Sequence, residues 1–304
     1  MPDTTAMTRR RGLRTALAAA LSLPLVATMP ASAARPAKPD ANRLTALPVR
    51  AMTYNLRFAD TSEPNSWASR RPVMRELLRQ EAPTFLGTQE GLHQQLLDIE
   101  EDLGPDYDWI GTGRLGGSHD EAMAVFFDTA RVTPLEHDTF WLSDTPRTIG
   151  SNTWGARYPR IVTWIRFRDR ADEREFYVLN THLDHVSQYA RERSAQMILD
   201  TIAGFDASLP IVVTGDFNAP AHDNRAYDIL VGSGLVDAWD AAAERSPEYA
   251  TFHGYRPLTH DGPRIDWILT TPKVTVHRAA MNTFALNGQF PSDHLPVQAT
   301  LTLR

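Results

Sequence analysis

Six strings of the chain set carboxylate, amide and imidazole side chains at the ends of apolar runs. Tyr54-Asn55 follows Val49–Thr53, Thr88-Gln89-Glu90 follows Phe85-Leu86-Gly87, and Asn180-Thr181-His182-Leu183-Asp184 follows Phe176–Leu179. Gly215-Asp216-Phe217-Asn218 follows Ile211-Val212-Val213, Asp266 lies in Arg264-Ile265-Asp266-Trp267, and Ser292-Asp293-His294 precedes the last apolar run. Taken singly, an Asp or Asn in such a place reads as a turn former or helix cap. Taken together, these are the groups that hold a hard cation, orient a water and move a proton. The chain has no cysteine, which excludes thiolate nucleophiles, disulfides and Cys-held zinc or iron–sulfur centres. Any metal must sit on oxygen or imidazole.

Something must carry these side chains to one rim. Short β-rich runs recur at Val49–Leu56, Thr84–Thr88, Ala122–Phe127, Ile161–Phe167, Phe176–Asn180, Ile211–Thr214, Ile265–Thr270 and Val297–Leu303. The polar turn Arg170-Ala171-Asp172-Glu173 joins two of them as an antiparallel hairpin. Helical patterns lie between, at Pro72–Gln80, with Pro72 in the first turn, and at Leu92–Leu103, Gln188–Phe205 and Asn224–Val231. Hairpins mixed with strand–helix–strand segments in one block predict layered sheets flanked by helices.

The ordered set of strings resembles the endonuclease/exonuclease/phosphatase superfamily, the DNase I-like metal-dependent phosphoesterases, over Val49 to Leu303. Phe140-Trp141-Leu142-Ser143, Pro159-Arg160-Ile161-Val162-Thr163-Trp164 and Thr181-His182-Leu183-Asp184-His185 look like a secreted bacterial subgroup of it. The resemblance implies an α/β fold, a four-layer α-β-β-α sandwich of two mixed β-sheets. It also implies Glu90 as principal metal carboxylate with Asn55 beside it and Asp293 near the metal, which is expected to be Mg²⁺, with Mn²⁺ as a tolerable substitute. In the same reading Asp216 orients or deprotonates the attacking water and Asn218 donates to a phosphate oxygen. Asp266 fixes His294, and Glu121 supports His182, an acid or phosphate donor. Ala122 stands where the family usually has an aromatic residue. A reaction that builds negative charge around phosphorus wants this mixture of cation, donors and proton shuttle. Arg160 suits a phosphate clamp by its forked donors and equally an ordinary ion pair; Arg157 reads as the latter. His185, His253 and His260 read as structural histidines, and Trp67, Trp154 and Trp239 as packing.

Composition bounds the rest. With 42% hydrophobic and 22% charged residues the chain is of ordinary globular type. Arg9, Arg10, Arg11 and Arg14, an apolar stretch over 15–29 and Ala31-Ser32-Ala33 form the pattern of an export signal over residues 1–33, by the general or the twin-arginine route. A proline-bearing linker over 34–47 and a catalytic domain over 48–304 follow. The whole chain carries 31 basic and 37 acidic residues, and the part after residue 33 has a net charge of −9. Only Lys38 and Lys273 are lysines, so no polybasic stripe awaits a polyanion. The expected protein is a secreted, monomeric phosphoester hydrolase without stable membrane insertion, small phosphoesters being preferred as substrate. Nucleic acid remains open as substrate only, as do a sphingomyelinase-like or phospholipase C-like activity and a noncatalytic binding module on the same fold.

Overall fold

The computed structural model describes residues 47–304. The expected export signal, and all of the expected linker but Leu47, lie outside the described residues. In chain order the elements are β1 (Val49–Asn55), α1 (Trp67–Glu81), β2 (Phe85–Gly91), α2 (His93–Leu103), β3 (Tyr107–Gly113), β4 (Ala122–Asp128), β5 (Val132–Trp141), β6 (Ile161–Asp169) and β7 (Glu175–His182). There follow α3 (Gln188–Ala203), β8 (Ile211–Asp216), α4 (Arg225–Gly232), β9 (Val236–Asp237), α5 (Ala238–Ala241), β10 (Glu244–Arg245), β11 (Asp266–Thr270), β12 (Val274–Met281) and β13 (Val297–Leu303). One sheet has the order β10-β12-β13-β1-β2-β4-β3 and the other β5-β6-β7-β8-β11-β9. Both are mixed: β1 runs parallel to β2 and β7 to β8, while β1–β13 and β8–β11 are antiparallel.

Alternation along the central strands sorts their side chains into three apolar layers. Ala51, Phe85, Val125, Val178, Val212 and Ile268 fill the space between the sheets. Their neighbours Met52, Leu86 and Phe126 pack under α1 and α2, against Met74, Leu77 and Ile99. Leu179, Val213 and Leu269 pack under α3 and α4, against Ile198 and Leu230. The result is the four-layer sandwich expected from the sequence. Strands buried on both faces read as unbroken apolar runs, which is why they were visible there. No helix among the described residues is long and apolar enough to cross a membrane.

Some expectations need correction. Pro72 does not open α1; the helix begins at Trp67, where Ser66 Oγ accepts from Ser69 N at 3.2 Å. Burial of Trp67, whose Nε1 donates to Asp98 Oδ2 of α2 at 2.7 Å, fixes this earlier start. β3, β5, β9, β10, β12 and the short α5 are additions to the elements expected from the sequence. β5 is an edge strand, exposed along its middle, and carries Pro134 beside a register shift, a place where proline costs no ladder bond.

Beneath the rim the two sheets are pinned by polar bonds rather than hydrocarbon. Fully buried Asn180 of β7 donates to Thr88 O (2.8 Å) and Ala124 O (3.0 Å) of the facing sheet. Its Oδ1 accepts from Gln89 Nε2 at 2.7 Å and from Thr214 Oγ1 at 3.2 Å. Gly87 makes room for this knot, since a Cβ there would stand 2.6 Å from Asn180 Oδ1.

Candidate active site

Register brings three of the candidate residues into one row. His182 pairs with Asp216 across β7 and β8, and Asp216 with Asp266 across β8 and β11. The other sheet brings Asn55, paired with Gln89, and Glu90 to the same rim. Glu90 leaves the pleat: the β2–β4 register shifts between Thr88 and Gly91, and Glu90 has φ 62°. A bulge of this kind re-aims a side chain, and a left-handed glutamate persists only where its surroundings enforce it. Asn55 Nδ2 donates to Glu90 Oε1 at 3.0 Å and to Asp216 Oδ2 at 2.9 Å, bridging the sheets.

His294 Nδ1 stands 2.9 Å from Asp266 Oδ2, the expected dyad. Burial opposes a charge on this imidazole, but the carboxylates of Asp266 and then Asp216 overcome it and raise its pKa to about 10. Both ring nitrogens therefore carry protons at neutral pH, with Nε2 3.8 Å from Asp216 Oδ2. Burial pushes the Asp216 carboxyl up, and Asp266 adds to this against the pull of His294. His182 goes the other way: burial, then the Arg160 charge, hold it well below its ordinary value, so it is neutral.

Asp216 and Asn218 are not two residues of one extended run. Asp216 ends β8, its Oδ1 accepts from Asn218 N at 2.9 Å, and Asn218 has φ 48°. This turn aims the Asn218 amide at His182 Nε2 (2.9 Å) and Leu183 O (3.0 Å). A carbonyl only accepts, so the amide nitrogen is the donor and His182 Nε2 an acceptor. The proton of His182 then sits on Nδ1, which is buried without a partner.

One expected partnership is not made. Glu121 does not support His182; Arg114 holds it through Nη1 (2.8 Å) and Nη2 (3.1 Å). Asp293, expected near the metal, pairs with Arg57 Nη1 at 2.9 Å. Arg160 does line the site and is buried; burial lowers its pKa, while Glu121 raises it. Trp67, Trp154 and Trp239 are buried in apolar clusters, as packing residues should be.

Other contributors went unread. Arg57, Phe58, Arg114 and Phe252 lie in connections that carry no pattern. Arg70 had a signal, since it shares the apolar-face spacing of Trp67, Met74 and Leu77 on α1. It is fully buried and gives all five N–H groups to backbone carbonyls: those of Asn65, Leu56, Pro291, Arg57 and Phe58. One guanidinium thus joins the loop after β1 to the loop that carries Ser292-Asp293-His294.

A cation has a place here. Ligand atoms of Glu90, His182 and Asp216 lie within 4.8 Å of one another, whereas His294, which carries a proton on each ring nitrogen, offers the ion no lone pair. Two carboxylates bridged only by an amide, one of them with its pKa raised by burial, fit a hard divalent ion. Asn55 faces Glu90 with its nitrogen, its Oδ1 accepting from Arg57 N at 2.9 Å, so it serves as a holder of the carboxylates here. The cavity over this rim measures about 320 Å³ and continues past His182 to Arg114, Glu121, Tyr158, Arg160 and His185.

Residues 52–294 match the model of the endonuclease/exonuclease/phosphatase family. The chain belongs to that family. The endonuclease/exonuclease/phosphatase family is phosphoester-hydrolysing, and its fold is the sandwich described above. A mannosyl-6-phosphatase from Bacteroides thetaiotaomicron is 33% identical, with TM-score 0.79 over 83% of this chain and 99% of that one. A family member from Bacteroides vulgatus is also 33% identical, with TM-score 0.80 over 84% and 99%. The human Nocturnin catalytic domain shares the fold at 20% identity and TM-score 0.66, over 85% of this chain and 94% of its own. Protein angel of Drosophila melanogaster is 29% identical over 186 residues, 57% of this chain; the chain spans about half, 49%, of that relative's length.

Proposed function

We propose that the protein hydrolyses small phosphoesters with a divalent cation, Mg²⁺ or in its place Mn²⁺, by in-line attack of water at phosphorus. The observation that carries this reading is the meeting of the Asp266–His294 dyad with the Glu90–Asn55–Asp216 bridge at one end of an open cavity. When bound, the cation supplies Lewis-acid neutralisation of phosphoryl oxygen charge. His294, oriented through Nδ1 by Asp266, donates from Nε2 to a phosphoryl oxygen as negative charge grows there. Asp216 holds the water and takes its proton, a task its raised pKa suits. As the water oxygen bonds to phosphorus the ester P–O bond opposite it breaks, and the departing alcohol oxygen takes a proton from solvent in the open cavity. Asn218 keeps neutral His182 in place, and a phosphoryl oxygen contacts its amide by exchanging for one of its two present acceptors.

Size and charge favour a small substrate. A cavity of about 320 Å³ is at the low end of the roughly 300–1,000 Å³ usual for ligand sites, enough for a sugar phosphate. The acidic balance of the chain gives a polyanion no broad footing, and a relative at 33% identity is described as a mannosyl-6-phosphatase. We also propose export, supported by the Arg9–Arg14 and Ala31-Ser32-Ala33 pattern; the protein is expected in the culture medium, and Arg9→Lys with Arg10→Lys distinguishes the twin-arginine route.

The purified protein is expected to hydrolyse p-nitrophenyl phosphate and hexose 6-phosphates faster than bis(p-nitrophenyl) phosphate, sphingomyelin or plasmid DNA. EDTA should abolish the activity and Mg²⁺ restore it. Glu90→Ala should lower kcat/KM by about 10²-fold or more and remove the heat of Mg²⁺ binding in calorimetry. Absence of EDTA-sensitive hydrolysis on every one of these substrates refutes the proposal.

A further inference from the structure

The end of the cavity beyond His182 is not used by the residues that act on phosphorus. Arg160 there is 5% exposed, yet no carboxylate hydrogen-bonds to it: Asp184 Oδ2 is 3.9 Å from Nε, an ion pair only, and Nε is buried without a partner. Of its five N–H donors, one finds an acceptor among the described residues, His185 Nδ1, 3.2 Å from Nη2. A guanidinium only donates, so Nδ1 of His185 accepts and a neutral ring carries its hydrogen on Nε2. His185 is exposed and lines the cavity. Glu121, fixed by Arg114 through both oxygens, keeps lone pairs free, and Arg114 Nε is a second buried donor without a partner. The Tyr158 ring lies 4.4 Å from the Arg114 guanidinium carbon and 6.0 Å from the His185 ring.

Arg160 lines the cavity with most of its Nη1 and Nη2 donors unmade among the described residues, so this wall wants a polar ligand. Charge decides which kind. The guanidinium groups of Arg114 and Arg160 face the carboxylates of Asp120, Glu121 and Asp184, so the wall has no surplus positive charge to draw a second phosphate. Hydroxyl groups suit it better, since each accepts from an arginine or from His185 and donates to Glu121. A ring bearing such hydroxyls also has an apolar face, which packs on Tyr158.

We infer that Arg114, Glu121 and Arg160, with Tyr158 and His185, form a leaving-group subsite that takes the vicinal hydroxyls of a cyclic polyol, a sugar or an inositol. This rests on the phosphoester reading for the reaction, though the subsite itself needs no turnover to be seen. It moves Arg160 from phosphate clamp to hydroxyl recognition and makes Arg114, Tyr158 and His185 specificity residues.

The test measures binding and selectivity separately. Ligand-observed NMR should detect free mannose or myo-inositol on the full protein, the responding ring telling sugar from inositol, and the signal should weaken in Arg160→Gln, Tyr158→Ala and His185→Ala. The last two change exposed side chains, so they report even if Arg160→Gln fails to fold. In kinetics, the ratio of kcat/KM for mannose 6-phosphate or inositol phosphate to that for p-nitrophenyl phosphate should fall by about tenfold in Arg160→Gln, the loss of one charged hydrogen bond. No polyol binding in a protein that hydrolyses phosphoesters, or a ratio within about twofold of wild type in all three variants, overturns the subsite. Polyol binding that the variants lose, in a protein without hydrolysis, upholds the subsite and sinks the reaction.

Discussion

Arg70→Met asks how much of the site depends on one buried cation that never touches substrate. Two of the five Arg70 hydrogen bonds, to Leu56 O at 2.7 Å and Pro291 O at 3.0 Å, are buried at both ends. Methionine fills similar volume but leaves both carbonyls in a dry interior, at about 1–3 kcal/mol each. The three remaining bonds are partly accessible, so water replaces some of their worth. Against this stands relief of the guanidinium's own burial, which already lowers its pKa. The net loss is expected to be about 3–5 kcal/mol, most of it from the two stranded carbonyls, and a large part of a typical 5–15 kcal/mol total. Urea unfolding followed by tryptophan fluorescence measures it. The positional claim needs a control of equal cost elsewhere, and Phe167→Ala in the layer between the sheets, at about 3–5 kcal/mol, provides one. At a temperature where both variants are folded, Arg70→Met should lose at least about tenfold more kcat, because a 1 Å shift of reacting groups costs up to 10²-fold. A stability loss below about 1 kcal/mol, or kcat values for the two variants within about twofold, refutes the reasoning.

Two further outcomes follow from the polar geometry. Gly87→Ala drives a methyl group into Thr214 Oγ1 and Asn180 Oδ1 and should cost about 1–3 kcal/mol, seen as a Tm lower by roughly 3–10 °C; an unchanged Tm would show that the inter-sheet knot yields freely. Asp266→Asn removes the main charge that keeps His294 protonated, so the NMR titration of this ring should move well below about 10 while kcat falls by roughly 10²–10⁴-fold. The sign for stability follows: a raised histidine pKa stabilises fully below about 6.5, and that part is lost as pH rises through about 10. Wild type should lose urea resistance across that window and the variant should not. A ring that titrates alike in both proteins removes the argument.

Much of the fold was legible because burial on both faces leaves a mark in one dimension. Runs such as Ile211-Val212-Val213 and Phe176–Leu179 need no partner to be recognised, and the residues at their ends were identified with them. β5 was not legible, since an edge strand with Pro134 and an exposed middle lacks that mark. The early start of α1 was hidden for a related reason: the gain from burying Trp67 against α2 appears only when α2 is in place.

The sequence by itself determined which chemical groups the site owns and the strands that deliver them, because side-chain type and strand periodicity are local properties. Tertiary structure decided how those groups are used. Glu90 is turned by a bulge, Glu121 goes to Arg114 instead of His182, and Asp293 goes to Arg57. Arg70 becomes the pin of two catalytic loops. Each of these joins residues from different strands or loops, many of them far apart in the chain. A buried charge takes whichever partner packing brings within about 3 Å, and only the folded chain sets that distance.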